Sequence, residues 1–290
     1  MRLLELFAGL GGAGLGLGAD ATTVLAVDLD PVALRVAAAH GAPTRLANLT
    51  ARRLDFLPEA DLWWLSPPCQ PFTVRGARRD LDDPRCRPLV RLLDAIDERR
   101  PRWIAIENVP GFLGSRACDL VQTRLAAVGY HVTSTTLCPT ALGWPNPRRR
   151  VYLLAGPSHT PAPLPQPPPT SPPLSNFLDA EPDPDLVLPE ALTTRYRHAL
   201  PVVRPADTAS HCFTSAYGRS PVHCGSVLDD PALGLRLFSP HEVARLLGFQ
   251  PSFAFPADLS RETAWGLIGN SLNLLAVRHV LTPCLRDLAG

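Results

Sequence analysis

The chain has 290 residues, of which 46% are apolar and 19% charged, and its formal net charge is +1. This composition excludes a disordered chain, and no apolar run approaches the roughly 18 residues of a membrane span. The length suits one large domain and a smaller one. Seven scattered cysteines favour a reducing cytoplasm over a disulfide framework, and the immediate start in a strand predicts no signal peptide.

A glycine-rich turn follows the first predicted strand. The run Phe7-Ala8-Gly9-Leu10-Gly11-Gly12 leads into a helix that begins near Ala13. Glycines let the backbone approach a ligand, and a helix N-terminus favours negative groups. A second strand, 23–27, ends at Asp28, where an acid can bind ribose hydroxyls. The pattern predicts an adenosine-containing cofactor, either NAD or S-adenosylmethionine. The alternative is a turn that only packs a helix on a sheet.

The fourth predicted strand ends beside a cysteine. Residues 61–65 are mostly apolar and run into Ser66-Pro67-Pro68-Cys69-Gln70-Pro71-Phe72. The two adjacent prolines stiffen the turn that presents Cys69. A cysteine at a strand exit in an open α/β sheet is a candidate nucleophile. The alternative is a small buried apolar residue, the common role of a lone cysteine. The third strand, 44–49, carries Asn48 near its exit.

A polar segment, 74–87, follows the cysteine. It lacks periodicity and predicts a long loop, and loops of this length in compact domains are usually functional. Its arginines could contact polynucleotide phosphates or form a solvated charged surface, and the sequence leaves both possibilities open. These arginines are Arg75, Arg78, Arg79, Arg85 and Arg87.

Two later strands carry further polar groups at their ends. A strand predicted over 103–106 is followed by Glu107, which could donate a proton or hydrogen bond to a substrate if burial raised its pKa. The run Asn146-Pro147-Arg148-Arg149-Arg150 precedes another strand. If Arg148 and Arg150 lie in a strand, they point to the same face. They could there bind an electron-rich ring or a phosphate, whereas a surface arginine cluster is the alternative.

A proline-rich segment separates this region from a smaller one. Nine of the seventeen residues from 157 to 173 are proline, which predicts an extended connector. Residues 175–235 predict a small, weakly periodic domain. Its pairs His211-Cys212 and His223-Cys224 do not match common zinc spacings, so no metal is predicted.

Two helices are predicted towards the C-terminal end. The first begins after Ser239 with a capping signal and continues to Gly248. The second is predicted over residues 272–285.

Five short motifs together resemble the cytosine-C5 methyltransferases. They are, in order, Phe7-Ala8-Gly9-Leu10-Gly11-Gly12, Pro68-Cys69-Gln70, Glu107-Asn108-Val109, Asn146-Pro147-Arg148-Arg149-Arg150 and Gly269-Asn270-Ser271. Each triplet is a weak signal alone, but five in this order are specific. One departure is Asn146, where the family usually has glutamine. The motifs cover residues 1–156 and about 236–290.

The resemblance implies an α/β fold with a Rossmann-like, S-adenosylmethionine-dependent methyltransferase domain, a mostly parallel sheet and a small inserted recognition domain. Its catalytic and cofactor-binding domain would span residues 1–156. The connector and target-recognition domain would span 157–238. Residues 239–290 would form a hinge helix and a C-terminal helix that returns to the catalytic domain.

Within that family the chain resembles the branch that methylates a cytosine in the anticodon loop of tRNA-Asp. The likeness rests on Ser66 to Thr73, residues 139–143, Cys212-Phe213-Thr214, residues 246–249 and Gly269 to Asn273. It implies a cytoplasmic monomer that uses S-adenosylmethionine and acts on tRNA, with double-stranded DNA as the alternative substrate. A non-catalytic binding module is a third possibility, against which Cys69 and Glu107 argue.

The resemblance also implies roles for individual residues. Cys69 would attack C6 of cytosine, Glu107 would contact N3 and the exocyclic amine, and Arg148 and Arg150 would orient the base. The implied cofactor-binding residues are Phe7, Ala8, Gly9, Leu10, Gly11, Gly12, Asp28, Leu29, Asn48, Leu49, Ser66, Leu89, Asn270 and Ser271. The predicted nucleic-acid contacts are Gln70, Arg75, Arg78, Arg79, Cys212, Phe213 and Thr214.

Overall fold

A computed structural model describes residues 1–51, 54–73, 79–166, 168 and 170–289. The chain divides into two compact units. Unit 1 comprises residues 1–137, 149–164 and 277–290, and unit 2 comprises 138–148 and 165–276. These units differ from the predicted domains at 138–148, 157–164 and 239–276, and the functional division of the chain stays a prediction.

Strands and helices alternate through most of unit 1. The strands of the chain are β1 (Arg2–Leu6), β2 (Thr22–Asp28), β3 (Thr44–Leu46), β4 (Leu62–Leu65), β5 (Trp103–Asn108), β6 (His131–Leu137), β7 (Arg150–Gly156), β8 (Val202–Val203), β9 (Val227–Asp230) and β10 (Gly234–Leu237). The helices are α1 (Gly12–Leu17), α2 (Pro31–Ala39), α3 (Arg87–Arg99), α4 (Arg116–Ala127), α5 (Glu190–Tyr196), α6 (Pro221–Cys224), α7 (Pro240–Leu246), α8 (Arg261–Asn270), α9 (Leu274–Val280) and α10 (Thr282–Ala289).

Unit 1 is built on a seven-stranded sheet with the order β3-β2-β1-β4-β5-β7-β6. The pairs among β1 to β5 are parallel, whereas β7 runs antiparallel to both β5 and β6. The carboxyl ends of β1, β2, β4 and β5 therefore share one edge with the first residue of β7. Ligands of open α/β sheets bind at that edge. The predicted α/β fold with a mostly parallel sheet is confirmed.

The central strands form because their residues are apolar on both faces. All four residues of β4 and all six of β5 are buried. Continuous burial is typical of parallel strands covered by helices on both sides. Trp63, Trp64 and Trp103 are among the largest fully buried side chains. At roughly 25 cal/mol per Å² of apolar area removed from water, such rings make this pair of strands a major source of stability.

Unit 2 contains a three-stranded sheet with the order β10-β9-β8, which the weak periodicity of this region did not predict. Arg236 of β10 is fully buried and forms ion pairs with Asp230 and Glu242 at 2.7 and 2.8 Å. Glu242 also closes a capping box with Ser239 at the start of α7. The predicted capping signal at this helix is therefore confirmed.

Several other local predictions need correction. The single helix predicted over 272–285 is two helices, α9 and α10. Part of the loop predicted after Cys69, residues 74–78, lies outside the described residues. The rest contains 3-10 helices at Asp80–Asp82 and Pro84–Cys86, and α3 begins at the last residue of the predicted loop. Among the described residues, no helix is both long enough and apolar enough to cross a membrane.

Candidate active site

The glycine-rich turn after β1 has a backbone that few residues adopt. Phe7, Gly9 and Gly11 have φ values of 58, 52 and 77°, all in the left-handed region. Glycine tolerates this conformation, whereas a phenylalanine there is strained by about 1–3 kcal/mol. The Ala8 amide donates to the Val27 carbonyl at 3.0 Å, which joins the turn to β2. Strain held in this way is typical of ligand-binding turns.

Asp28 holds this turn through its carboxylate. Its Oδ2 accepts from the Gly9 amide at 2.8 Å, and its Oδ1 accepts from the amides of Leu29 and Asp30. A carboxylate has about four acceptor positions, so Oδ2 retains capacity for a hydroxyl donor. Leu29 beside it is 62% exposed, an unusual state for a large apolar side chain. An acceptor next to an exposed apolar side chain fits the sugar and the base of an adenosine group.

A second carboxylate, Glu5, lies on the inner side of the turn. It is 1% exposed and accepts from the amides of Gly14 and Ala13 at 2.5 and 3.3 Å. Burial raises the pKa of Glu5 from an ordinary 4.5 to about 7, although both hydrogen bonds act to lower it. Glu5 could not be predicted as a site residue from the sequence, because a charged side chain in a short strand gives no sign that it points inward.

We expect the pKa of Glu5 to make stability fall with rising pH. Between pH 4.5 and about 7 the folded protein retains a proton that the unfolded chain has lost. The free energy of unfolding should therefore decrease across this window, by roughly 3 kcal/mol at most. Urea unfolding of the wild type and of Glu5→Gln at pH 4.5, 6 and 7.5 measures this. The wild type should lose stability relative to the variant, and a difference that stays constant with pH would contradict the assignment.

The turn that carries Cys69 is fastened to the end of β5. The Asn108 side-chain amide donates to the Pro67 carbonyl at 3.1 Å, and this bond is buried. The Phe72 amide donates to the Cys69 carbonyl at 2.9 Å and closes a tight turn. Cys69 itself is half-buried and is not in a disulfide. The predicted stiff presentation of Cys69 therefore depends on a side chain of the neighbouring strand as well as on the prolines.

Gly111 is a further residue on which this turn depends. A Cβ atom at Gly111 would lie 2.2 Å from the Phe72 carbonyl oxygen, closer than real contacts allow. The rings of Phe72 and Phe112 pack edge to face with centroids 5.0 Å apart. The sequence shows Gly111 as part of a Pro-Gly pair after Glu107. The need for a glycine there could not be predicted, because it depends on contact with Phe72, about forty residues earlier in the chain.

Glu107 and Arg150 meet at the same edge of the sheet. Glu107 is the fifth residue of β5 and Arg150 is the first of β7. Arg150 Nε lies 3.1 Å from Glu107 Oε1, and both side chains are at least four-fifths buried. This ion pair orients the carboxylate and leaves few directions from which a substrate could reach it. The sequence predicted both residues for the site but not their direct contact.

The structure places the remaining predicted residues of unit 1 in different environments. Leu49 and Leu89 are 3% and 2% exposed and pack in the hydrophobic core. Asn48 is exposed, and its Oδ1 accepts from the amide and hydroxyl of Thr50. The Ser66 hydroxyl accepts from Trp64 Nε1 at 2.8 Å, and the Ser66 amide donates to the Leu6 carbonyl. Their cofactor contacts stay predictions.

The predicted nucleic-acid contacts of unit 1 are only partly described. Gln70 and Arg79 are exposed. Arg75 and Arg78 lie outside the described residues. Among the loop arginines, Arg85 is held by a two-bond contact with Asp83, at 2.8 and 2.6 Å. These hydrogen bonds lower the pKa of Asp83 to about 2.

Arg148 lies in unit 2 and not in a strand. The prediction that Arg148 and Arg150 share a strand face is wrong, because β7 begins at Arg150. Arg148 is 4% exposed, and its guanidinium donates to the carbonyls of Phe213 and Gly269 at 3.2 and 3.1 Å. Its side chain thus joins three segments that the sequence showed only as separate motifs.

Asn146 takes part in the same arrangement within unit 2. Its amide nitrogen donates to the Ser210 hydroxyl and to the His211 carbonyl, each at 3.0 Å. The shorter asparagine in place of the family's usual glutamine therefore makes one buried and one partly buried hydrogen bond. Asn273, in the predicted branch motif, caps α9 by accepting from the Ala276 amide.

The other predicted residues of unit 2 differ in exposure. Phe213 is buried among the rings of Tyr217 and Phe238. Cys212 and Thr214 are half-buried, Ser271 is buried and Asn270 is exposed. The sequence could not separate these cases, because neighbouring residues of one motif face opposite sides.

Two glycines of α8 allow a matched test of packing in unit 2. A Cβ at Gly269 would lie 2.3 Å from the Thr214 carbonyl carbon, whereas one at Gly266 would meet nothing closer than 3.9 Å. Gly269→Ala should lower the free energy of unfolding by about 1–3 kcal/mol. Gly266→Ala should raise it by about 0.5–1 kcal/mol through helix propensity. Chemical denaturation of both variants measures the difference, and equal effects would refute the close contact.

The comparisons with known proteins agree with this geometry. The family model described as C-5 cytosine-specific DNA methylase matches residues 1–198, more than half of the chain. A sheet edge with a cysteine turn, a glutamate and a glycine-rich turn is consistent with a methyltransferase of this family. The chain belongs to the C-5 cytosine-specific DNA methylase family, as the five motifs predicted.

Its relatives include a tRNA methyltransferase and a type II methyltransferase. It is 29% identical to the tRNA (cytosine(38)-C(5))-methyltransferase of Schizosaccharomyces pombe, over 99% of this chain and 98% of that protein. It is 26% identical to the type II methyltransferase M.NlaX of Neisseria lactamica, over 96% of this chain and 94% of that protein. The crystal structure of S. pombe Dnmt2 methyltransferase covers 100% of both chains with a TM-score of 0.87 at 29% identity.

Proposed function

We propose that this protein is an S-adenosylmethionine-dependent methyltransferase that modifies C5 of a cytosine in the anticodon loop of tRNA. The observation that carries the proposal is the shared edge of β4 and β5, where the Cys69 turn is bonded to Asn108 and Glu107 is paired with Arg150. Relatives named as tRNA methyltransferases match nearly the full chain and support the choice of substrate.

The chemistry requires a nucleophile, because C5 of cytosine is itself a poor one. The Cys69 thiolate attacks C6 and forms a covalent bond, and the electron pair of the C5–C6 bond becomes available at C5. Glu107 contacts N3 and the exocyclic amine, where charge develops as the adduct forms. Arg150 holds Glu107 in place and orients the base. After C5 is methylated, loss of its proton to a base lets the C6–S bond break and regenerates the thiolate.

S-adenosylmethionine would supply the electrophilic methyl group. Asp28 would accept from its ribose hydroxyls, Leu29 would pack on its adenine, and the glycine-rich turn from Phe7 to Gly12 would surround its remainder. The remaining acceptor capacity of Asp28 and the exposure of Leu29 support this fit. NAD would satisfy the same turn, but the five ordered motifs and the family match over residues 1–198 favour S-adenosylmethionine.

Arg148 would act as a positioning residue. Its guanidinium is occupied by two backbone carbonyls in unit 2, so we assign it to the support of the segments around Phe213 and Gly269. The catalytic set is then Cys69, Glu107 and Arg150. We expect the protein to work as a cytoplasmic monomer.

We expect Cys69→Ala to abolish methyl transfer while cofactor affinity changes less than about twofold, because the thiol forms the bond to C6 but does not contribute to the glycine-rich turn. The control is Cys138→Ala, which removes another half-buried thiol. Tritium transfer from labelled S-adenosylmethionine and calorimetric titration on the same preparations measure both quantities. Methyl transfer by Cys69→Ala above about 1% of the wild-type rate would contradict the assignment of Cys69 as the nucleophile.

We expect tRNA to be methylated in strong preference to duplex DNA. Moving an unpaired loop base out of its stack costs less free energy than moving a paired base, and the compact segment 175–235 offers little surface for groove readout. Parallel assays on total tRNA and mixed genomic DNA under identical conditions test this, followed by bisulfite sequencing of the labelled nucleic acid. Efficient labelling of DNA without tRNA would replace the substrate assignment and leave the catalytic residues unchanged.

A further inference from the structure

The arginines of unit 2 differ in whether their guanidinium groups already have a hydrogen-bond or ion-pair partner in the protein. Five form ion pairs with carboxylates, and Arg148 donates to backbone carbonyls. The five are Arg204, Arg219, Arg236, Arg245 and Arg261. The two that remain, Arg195 and Arg197, have no carboxylate partner among the residues that the structure describes. Both are exposed.

These two arginines flank an exposed aromatic ring. Tyr196 is 36% exposed, and the Arg195 guanidinium lies over its ring at 5.2 Å from the centroid. His198 follows directly and is exposed as well. An exposed ring between unpaired cations is the combination that single-stranded nucleic acid recognises, because bases stack on rings and phosphates contact guanidinium groups.

The segment that carries these residues has no buried face. None of the seven residues of α5 is buried, and neither is any residue of the 3-10 helix Arg197–Ala199 that follows. Core packing therefore does not explain an Arg-Tyr-Arg-His run at this place. Glu190 is the single acidic residue of α5 and of this 3-10 helix, against Arg195 and Arg197, so the two elements together carry a formal net charge of +1.

We infer that Arg195, Tyr196 and Arg197 form a second RNA contact in unit 2, which binds an unpaired nucleotide and its neighbouring phosphates. We call these three residues the α5 surface. The inference rests on the proposed tRNA function and adds a contact that the catalytic residues do not provide. The Tyr196 ring would stack on a base, and the two guanidinium groups would neutralise phosphates on either side.

Salt dependence distinguishes this contact from a merely exposed helix. Each phosphate contact on single-stranded nucleic acid contributes about 0.7 to the slope of log affinity against log salt. The double variant R195A/R197A should therefore bind tRNA with a slope shallower by about 1.4. Fluorescence anisotropy of labelled tRNA at four salt concentrations measures the slope. The same variant should raise KM for tRNA in the methylation assay.

The control is R204A/R261A, which removes two arginines from the same unit. Both are paired, with Asp229 and Asp183 respectively, so they should contribute little to phosphate binding. The net charge falls by two in either double variant, which equalises the general electrostatic effect. A slope reduced equally in both variants, or in neither, would overturn the inference.

Two single variants test the stacking part. Tyr196→Ala should weaken tRNA binding about fivefold or more, whereas Tyr196→Phe retains the ring and should bind like the wild type. Equal losses in both would overturn the stacking assignment. If the wild type methylates tRNA but every α5 variant binds tRNA as tightly as the wild type, the α5 surface is refuted and the proposed function is not. If the α5 variants weaken tRNA binding but the wild type does not methylate tRNA, the proposed function is refuted and the α5 surface is not.

Discussion

The pairing of β4 with β5 determines which two functional groups can act on one substrate. Leu65, the last residue of β4, lies opposite Ile106 of the parallel strand β5. One continues into the Cys69 turn and the other carries Glu107 as its next residue. A slip of one residue in this register would turn Glu107 to the other face of the sheet. Because both faces of these strands are buried, that slip would also exchange the large side chains packed on the two faces, and the register is strongly specified.

The buried hydrogen bond from the Asn108 amide to the Pro67 carbonyl then fixes the turn that carries the Cys69 thiol relative to the paired strands. Prolines alone limit the φ angles of the turn, but they do not fix its direction relative to the sheet. The amide of Asn108 does so from the neighbouring strand, and the absence of a side chain at Gly111 lets the turn approach closely. Groups held by packed strands and hydrogen bonds keep the accuracy that covalent catalysis needs. The segment from Glu107 to Gly111 thus has three functions. Glu107 faces the substrate edge, Asn108 holds the Cys69 turn, and Gly111 lets that turn approach closely.

Much of the fold and the strand-end residues could be predicted from the sequence, because the signals are local. Runs such as Leu62 to Leu65 indicate buried strands, and the residues that follow them lie at the ligand-binding edge. The contacts of Arg148 could not be predicted in this way, since its partners Phe213 and Gly269 are 65 and 121 residues away in the chain. The inward direction of Glu5 and the three-stranded sheet of unit 2 were missed for the same reason. Periodicity predicts elements, whereas these features depend on which elements meet.

The residues that carry out the chemistry cannot by themselves choose between RNA and DNA. C5, C6, N3 and the exocyclic amine of cytosine are the same in both, so Cys69 and Glu107 encounter the same atoms. Selection must come from groups that read the backbone, the 2′-hydroxyls or the state of stacking. The net charge of +1 does not exclude such groups, because most arginines of unit 2 are already neutralised by carboxylates. What an RNA backbone encounters on this unit is the few arginines that have no carboxylate partner, and their position matters more than the total charge.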